Sequence, residues 1–175
     1  EYFTEHIDRI LLNYAYLNKG LCINFNGEKY ESKNGLLDLL ERNIDGETIY
    51  PVIHMEEGDL EFAFTHSHKN YGEEIYSFVN GQHTTQGGTH VAAFKEALVD
   101  TVRKFYKKDF EASDIRGAIV AAISVRVHEP VFESQTKTKL GSQYMEPNGQ
   151  TIRNYVGDIV RRNLDYYLLI HGEPS

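Results

Sequence analysis

The 175-residue chain has one cysteine, no tryptophan, four prolines and two methionines. A lone Cys22 cannot close a disulfide within the chain, and it cannot supply a thiolate zinc site. Disulfide scaffolds and zinc folds of the Cys type are therefore excluded. The free thiol suits a reducing cytoplasm, and Leu21-Cys22-Ile23 reads as a small buried apolar position. No apolar run approaches the ~18–20 residues that span a bilayer. The first residues carry no basic segment followed by an apolar one, so neither a membrane span nor a signal peptide is predicted. The chain opens on Glu1 and holds no Ser/Gly tract, and we read it as a piece of a longer soluble protein. Positive charge is scarce as well: 18 Lys and Arg stand against 26 Asp and Glu, a net charge of −8. A surface that coats nucleic acid needs clustered cations to neutralise phosphates, so any such contact here must be local. Arg103-Lys104, Lys107-Lys108, Lys137 with Lys139, and Arg161-Arg162 are local clusters that read first as solvated faces.

What is present fits one domain with a sizeable core, in which 12 Tyr and 9 Phe supply much of the volume. A helix is predicted over 4–18, with Ile7, Ile10, Leu11, Tyr14 and Leu17 on its apolar stripe and Gly20 ending it. Asn26-Gly27 favours a tight hairpin between two short strands. A short helix follows over 35–42, then strands over 48–55, 60–65 and 75–80. A glycine-containing loop leads to a long helix over 89–107 with Thr89 as N-cap and a stripe of Val91, Phe94, Leu98, Val102 and Phe105. The segment 118–128 is the strongest strand, and its near-continuous apolar character predicts a central place with both faces covered. Pro130 ends it, and a last helix runs over 151–169. Strands joined by hairpins, interrupted by helices, give an α+β layout with a mixed sheet and helices on one face.

No phosphate-binding glycine signature is present. Gly87-Gly88 before a helix can offer backbone N–H groups to an anion, but two glycines there also make an ordinary entry turn. His66, His68, His83 and His90 invite a metal reading, yet nothing near them completes the three or four ligands that zinc requires. Glu56-Glu57 and Glu73-Glu74 flank strands, where paired acids mark solvent. No self-contained catalytic set is visible. The segment 133–141 is the exception of interest. It directly follows the strongest strand, which anchors it, and holds Gln135, Lys137, Lys139 and the hydroxyls of Ser134, Thr136 and Thr138. Lys is a mobile point charge suited to a terminal phosphate, with an amide donor beside it. By composition alone, a solvated loop is the favoured reading.

Three stretches carry a family resemblance. They are Tyr76-Ser77-Phe78-Val79-Asn80 followed by Gly87-Gly88-Thr89-His90 and Phe94-Lys95; Ile123-Ser124-Val125-Arg126-Val127 followed by Glu129-Pro130, Phe132 and Gln135-Thr136-Lys137; and Leu17-Asn18-Lys19-Gly20-Leu21. Their order and spacing resemble the B subunits of bacterial type II DNA topoisomerases, with topoisomerase IV favoured over gyrase. The resemblance implies a transducer domain over 1–175, with an entry helix over 1–20 and a C-terminal helix over 151–175. It implies a fold like the second domain of ribosomal protein S5, including a left-handed βαβ crossover.

The same resemblance implies a role. The transducer lies between an N-terminal ATPase domain and a C-terminal toprim domain. Lys137 and Gln135 reach the γ-phosphate of ATP held mostly by the ATPase domain, and Lys95 faces the DNA cavity of the dimer. The expected partners are those two domains, a second B subunit, the A subunit and double-stranded DNA, with no membrane. Mg2+ belongs to the full-length enzyme, the setting is the bacterial cytoplasm near the nucleoid, and the 175-residue chain alone is expected to be inactive. Alternatives are a gyrase B transducer, a freestanding S5-like nucleic-acid-binding module, and the equivalent domain of a related chaperone or mismatch-repair ATPase.

Overall fold

The structure is a computed structural model that describes residues 2–67 and 72–172. In chain order the elements are α1 (Tyr2–Leu17), β1 (Cys22–Phe25), β2 (Glu28–Glu31), α2 (Leu36–Asn43), β3 (Ile53–Glu57), β4 (Leu60–His66), β5 (Glu74–Val79), β6 (Gln82–His83), α3 (Thr89–Tyr106), α4 (Ala112–Arg116), β7 (Ile119–Val125) and α5 (Ile152–His171). β1 and β2 form a separate hairpin, turned by Asn26 and Gly27, both at positive φ. The other strands make one five-stranded sheet in the order β3-β4-β7-β5-β6.

β7 lies in the middle of that sheet, antiparallel to β4 and parallel to β5, with Val79 opposite Val125. Its parallel pairing with β5 requires a crossover, which α3 supplies. Both faces of β7 are covered. Ile119, Ala121, Ile123 and Val125 face a core shared with α3 and α5, while Val120 and Ala122 face a second core with Leu36, Leu39 and Leu40 of α2 and Tyr16 of α1. The α+β class and the mixed sheet agree with the sequence reading. The helices differ from it, because they occupy two faces and not one. The cause is legible in β4, where Ala63 and Thr65 alternate with Phe62 and Phe64 yet all four are buried. In the first core, Phe94 of α3 sits against Phe62 and Phe64, at ring-centre distances of 5.7 and 6.0 Å. Each such buried side chain contributes roughly 1.5–3 kcal/mol.

Several local expectations change. α1 packs on the second core through Leu12, Tyr16 and Leu17, whereas Ile10 and Tyr14, expected on its buried stripe, are 48% and 54% exposed. Cys22, expected to be buried, is exposed, because the β1–β2 hairpin stands apart from the main sheet. β3 begins at Ile53 and not at Thr48, since Pro51 has no N–H to give a ladder. β7 ends at Val125 and not at His128. There the Asn80 side chain takes over: its Nδ2 donates to the Val127 carbonyl and its Oδ1 accepts from the Val127 N–H, each at 2.8 Å.

α3 and α5 pack along one another, and charged pairs stitch their outer rims. Arg153 holds Glu96 in a bidentate pair at 2.8 and 2.9 Å, and Arg161 reaches Asp100 at 3.0 Å. Arg162 and Asn163 hold Glu57 at the end of β3, and the Arg162 hydrogen bond is the main cause of a lowered Glu57 pKa. The Arg161-Arg162 cluster on α5 is therefore paired. No helix among the described residues is long and apolar enough to cross a membrane.

Candidate functional site

The chain leaves β7, passes Pro130 and turns back on itself before α5. Residues 131–141 form a closed loop: the Glu133 N–H donates to the Lys139 carbonyl at 2.9 Å, and the Gly141 N–H donates to the Val131 carbonyl at 2.8 Å. Within it, alternate side chains separate. Ser134, Thr136 and Thr138 face one another, with oxygen separations of 2.8, 3.4 and 3.2 Å. Gln135 and Lys137, between them, are exposed. Thus the three hydroxyls contact one another within the loop, while the amide and the ammonium are left exposed. Lys139 pairs with Glu133 at 3.4 Å. Lys137 has no carboxylate within ion-pair distance among the described residues, and its backbone sits in the left-handed region at φ 58°.

The loop rests on the entry to α3. The Gln86 N–H donates to the Thr138 carbonyl at 2.8 Å, and the Leu140 N–H donates to the Gly87 carbonyl at 3.0 Å. The Thr89 N–H donates to the Leu140 carbonyl at 3.3 Å, and Thr138 Oγ1 donates to Gln86 Oε1 at 3.2 Å. Gly88, at φ 135°, lies against Leu140 with no room for a Cβ. Gly87-Gly88 is thus a close joint between two loops and an entry turn to the helix, with the Gly87 N–H donating to the Thr84 carbonyl. Thr89 is not the N-cap: Gly88 takes that position, and the Thr89 hydroxyl donates to the Ser142 carbonyl at 2.8 Å. Sequence spacing contains no sign of the Gln86–Thr138 or Gly88–Leu140 contacts, because each joins segments some fifty positions apart.

The histidines have other roles. His66 Nε2 lies 2.6 Å from the Ile115 carbonyl, and its Nδ1 bonds the Tyr50 hydroxyl, so both ring nitrogens are occupied. Burial pushes the Tyr50 phenol up. His83 stacks on Phe78 with ring centres 4.9 Å apart, and burial together with the nearby Arg9 charge holds its pKa down. His90 is fully buried beneath the joint, and burial lowers its pKa to about 4. His68 lies outside the described residues. No group of three potential metal ligands occurs among the described residues. Lys95 projects from α3 to Glu73, with Nζ 2.9 Å from Oε1, and Arg116 approaches the same carboxylate at 3.7 Å. Lys95 and Lys137 therefore do not converge on one site. A cavity of about 610 Å³ opens by Tyr50, His66 and Ile115, at the start of β7 and away from the loop that follows its end.

The profile of the DNA gyrase B family matches residues 19–173. The chain belongs to that family. The B subunit of DNA topoisomerase IV from Borreliella burgdorferi is 47% identical over 142 residues, which cover 81% of this chain and 24% of that protein. The gyrase B subunit of Clostridium acetobutylicum is 30% identical over 189 residues, covering 96% of this chain and 29% of that protein. The chain therefore spans about a quarter of the length of these curated relatives. Among solved structures, the 43K ATPase domain of Thermus thermophilus gyrase B superposes with a TM-score of 0.75 at 26% identity, covering 95% of this chain and 48% of that one. The topoisomerase IV ATP-binding domain of Francisella tularensis gives 0.71 at 25% identity, covering 96% and 48%. The chain corresponds to a segment of a type II topoisomerase B subunit, and its resemblance to topoisomerase IV is the stronger of the two. The mixed α+β fold is shared with both solved domains.

Proposed function

We propose that the chain is the transducer of a topoisomerase IV B subunit, coupling ATP binding and hydrolysis in a neighbouring domain to the passage of one DNA duplex through another. The observation that carries this reading is the loop over 131–141, which follows the central strand and leaves Lys137 and Gln135 exposed on a framework hydrogen-bonded to the entry of α3. An unpaired ammonium on an anchored loop is suited to a ligand phosphate supplied from outside this segment.

In this mechanism the B subunit's ATPase domain binds ATP, with Mg2+, and Lys137 and Gln135 complete the site at the γ-phosphate. Loss of that phosphate on hydrolysis removes the charge partner of Lys137, and the domain pair relaxes to another arrangement. The loop moves with α3 because it is hydrogen-bonded to the segment that enters that helix. A toprim domain, a second B subunit, the A subunit and double-stranded DNA complete the machine in the cytoplasm. Lys95 faces the DNA passage, where phosphates compete with Glu73 for its ammonium. By itself the chain carries the sensing residues and no complete ATPase.

The test uses a full-length B subunit bearing this segment, assembled with its A subunit. Lys137→Ala is expected to lower ATP turnover at least tenfold, about 1.4 kcal/mol in the barrier; unchanged turnover refutes the assignment. Decatenation without ATP-driven negative supercoiling is the expected topoisomerase IV outcome, and negative supercoiling would move the assignment to gyrase.

A further inference from the structure

Beneath the joint lies a run of buried polar side chains that the proposed mechanism does not use. Ser77 of β5, Thr84 and His90 of α3 are 1%, 1% and 0% exposed. The Ser77 hydroxyl donates to the Thr84 carbonyl at 2.8 Å. Its single proton is then spent, so in the 2.7 Å contact between Ser77 Oγ and Thr84 Oγ1 the threonine is the donor. Thr84 Oγ1 has now given its own proton and can only accept from His90, whose Nε2 lies 3.2 Å away. These directions place a proton on Nε2, and burial keeps the imidazole neutral. Nδ1 keeps a lone pair and meets no donor among the described residues. A proton added there would find no acceptor, in keeping with the low pKa that burial produces.

We infer that His90 is a positioning residue which, through Thr84, fixes segment 84–88 and thereby the loop that presents Gln135 and Lys137. The path is short and bonded throughout. The Thr84 carbonyl accepts from the Gly87 N–H at 2.9 Å, and the Thr84 N–H donates to the Ser77 carbonyl at 2.8 Å. Segment 84–88 then hands the constraint on through Gln86 to Thr138 and through Gly87 to Leu140. Both ends of the relay are rigid, since Ser77 belongs to a strand of the main sheet and His90 to the first turn of α3. A relay made of directed bonds selects one loop conformation, where apolar packing of similar shape would tolerate several. The effect on the loop is independent of the proposed function; the effect on ATP turnover rests on it.

Amide exchange in the 175-residue chain tests the first effect. Thr84→Val keeps the shape of the side chain and removes the hydroxyl, and Thr84→Ser restores it. We expect the Gln86 and Leu140 amides to exchange at least tenfold faster in Thr84→Val, relative to the Val160 amide in α5, and to return to the original rate in Thr84→Ser. Exchange that changes at all three amides in parallel would mark a loss of global stability only and overturn the inference. The second effect is read by a double-mutant cycle on kcat in the full-length subunit. Thr84→Val should lower kcat, and should add nothing in the Lys137→Ala background; equal losses in both backgrounds would overturn the link. If Lys137→Ala itself leaves turnover unchanged, the proposed function fails, while the exchange result on the loop stands apart. His90→Gln, which retains an N–H donor, should preserve more of the loop protection than His90→Phe, and the reverse order would count against the relay.

Discussion

Gly88 and Leu140 are paired backbone to backbone so closely that a Cβ on Gly88 would stand 2.5 Å from the Leu140 oxygen and 2.6 Å from its nitrogen. This contact joins the Gly87-Gly88-Thr89-His90 stretch to the loop that carries Gln135-Thr136-Lys137, two of the three stretches that bear the family resemblance. Gly88→Ala places a methyl against backbone that cannot rotate away, at a φ of 135° that L side chains rarely adopt. We expect a loss of about 2–4 kcal/mol, from strain and overpacking together. Urea unfolding of the isolated chain measures it, and a loss below about 1 kcal/mol would show that the joint opens easily.

Lys137 separates stability from function. Its left-handed backbone disfavours an L side chain by about 1–2 kcal/mol relative to glycine, before the flexibility glycine adds to the unfolded chain. Lys137→Gly should therefore leave the urea midpoint equal to or above that of the original chain. In the full-length subunit the same change should lose ATP turnover as fully as Lys137→Ala. A variant that is both unstable and inactive would contradict this separation.

His90 gives stability a specific pH dependence. Its pKa falls from 6.5 in the unfolded chain to about 4 in the fold. Above the unfolded value both states are neutral and the group has no effect. Between the two values the unfolded chain takes up a proton that the fold refuses, so stability is lost as pH falls through that window, by roughly 3 kcal/mol at the lower end. Thermal unfolding of the original chain should therefore drop more steeply between pH 7 and pH 5 than that of His90→Gln, and parallel curves would exclude this source.

Lys95 pairs with Glu73 at the surface, where such pairs contribute about 0–1 kcal/mol. Lys95→Gln should leave the unfolding midpoint nearly unchanged. In the assembled enzyme it should weaken the stimulation of ATP turnover by DNA, and the difference should shrink as salt rises. Full stimulation in the variant would remove Lys95 from the DNA path.

The strongest sequence signals were those carried by single segments. The apolar run of β7 announced a central strand with two covered faces, Asn26-Gly27 a hairpin, and the spacing from Val91 to Phe105 a long buried helix. What the sequence could not announce depends on partners distant along the chain. The stripe expected on α1 counted Ile10 and Tyr14 as buried, because periodicity reports an apolar face without saying what covers it. The pair α2 and α1 on the second face of the sheet was missed for the same reason. At the candidate site, Gln135 and Lys137 were visible by residue type and by family resemblance. The inward turn of Ser134, Thr136 and Thr138 was not, since hydroxyl alternation looks the same in a loop that binds a ligand and in one that binds itself.

Asn80 has the last word on where the sheet stops. Its side chain imitates a peptide unit, giving one N–H and taking one from Val127, while its own backbone turns away at φ 49°. A strand that would otherwise run on beside its neighbour is thus brought to an end without a frayed edge. The chain that leaves for the loop bearing Lys137 is tied to the end of β5 by that one amide. The departing chain is thus held twice, at Val127 by that amide and at Leu140 by the glycine joint.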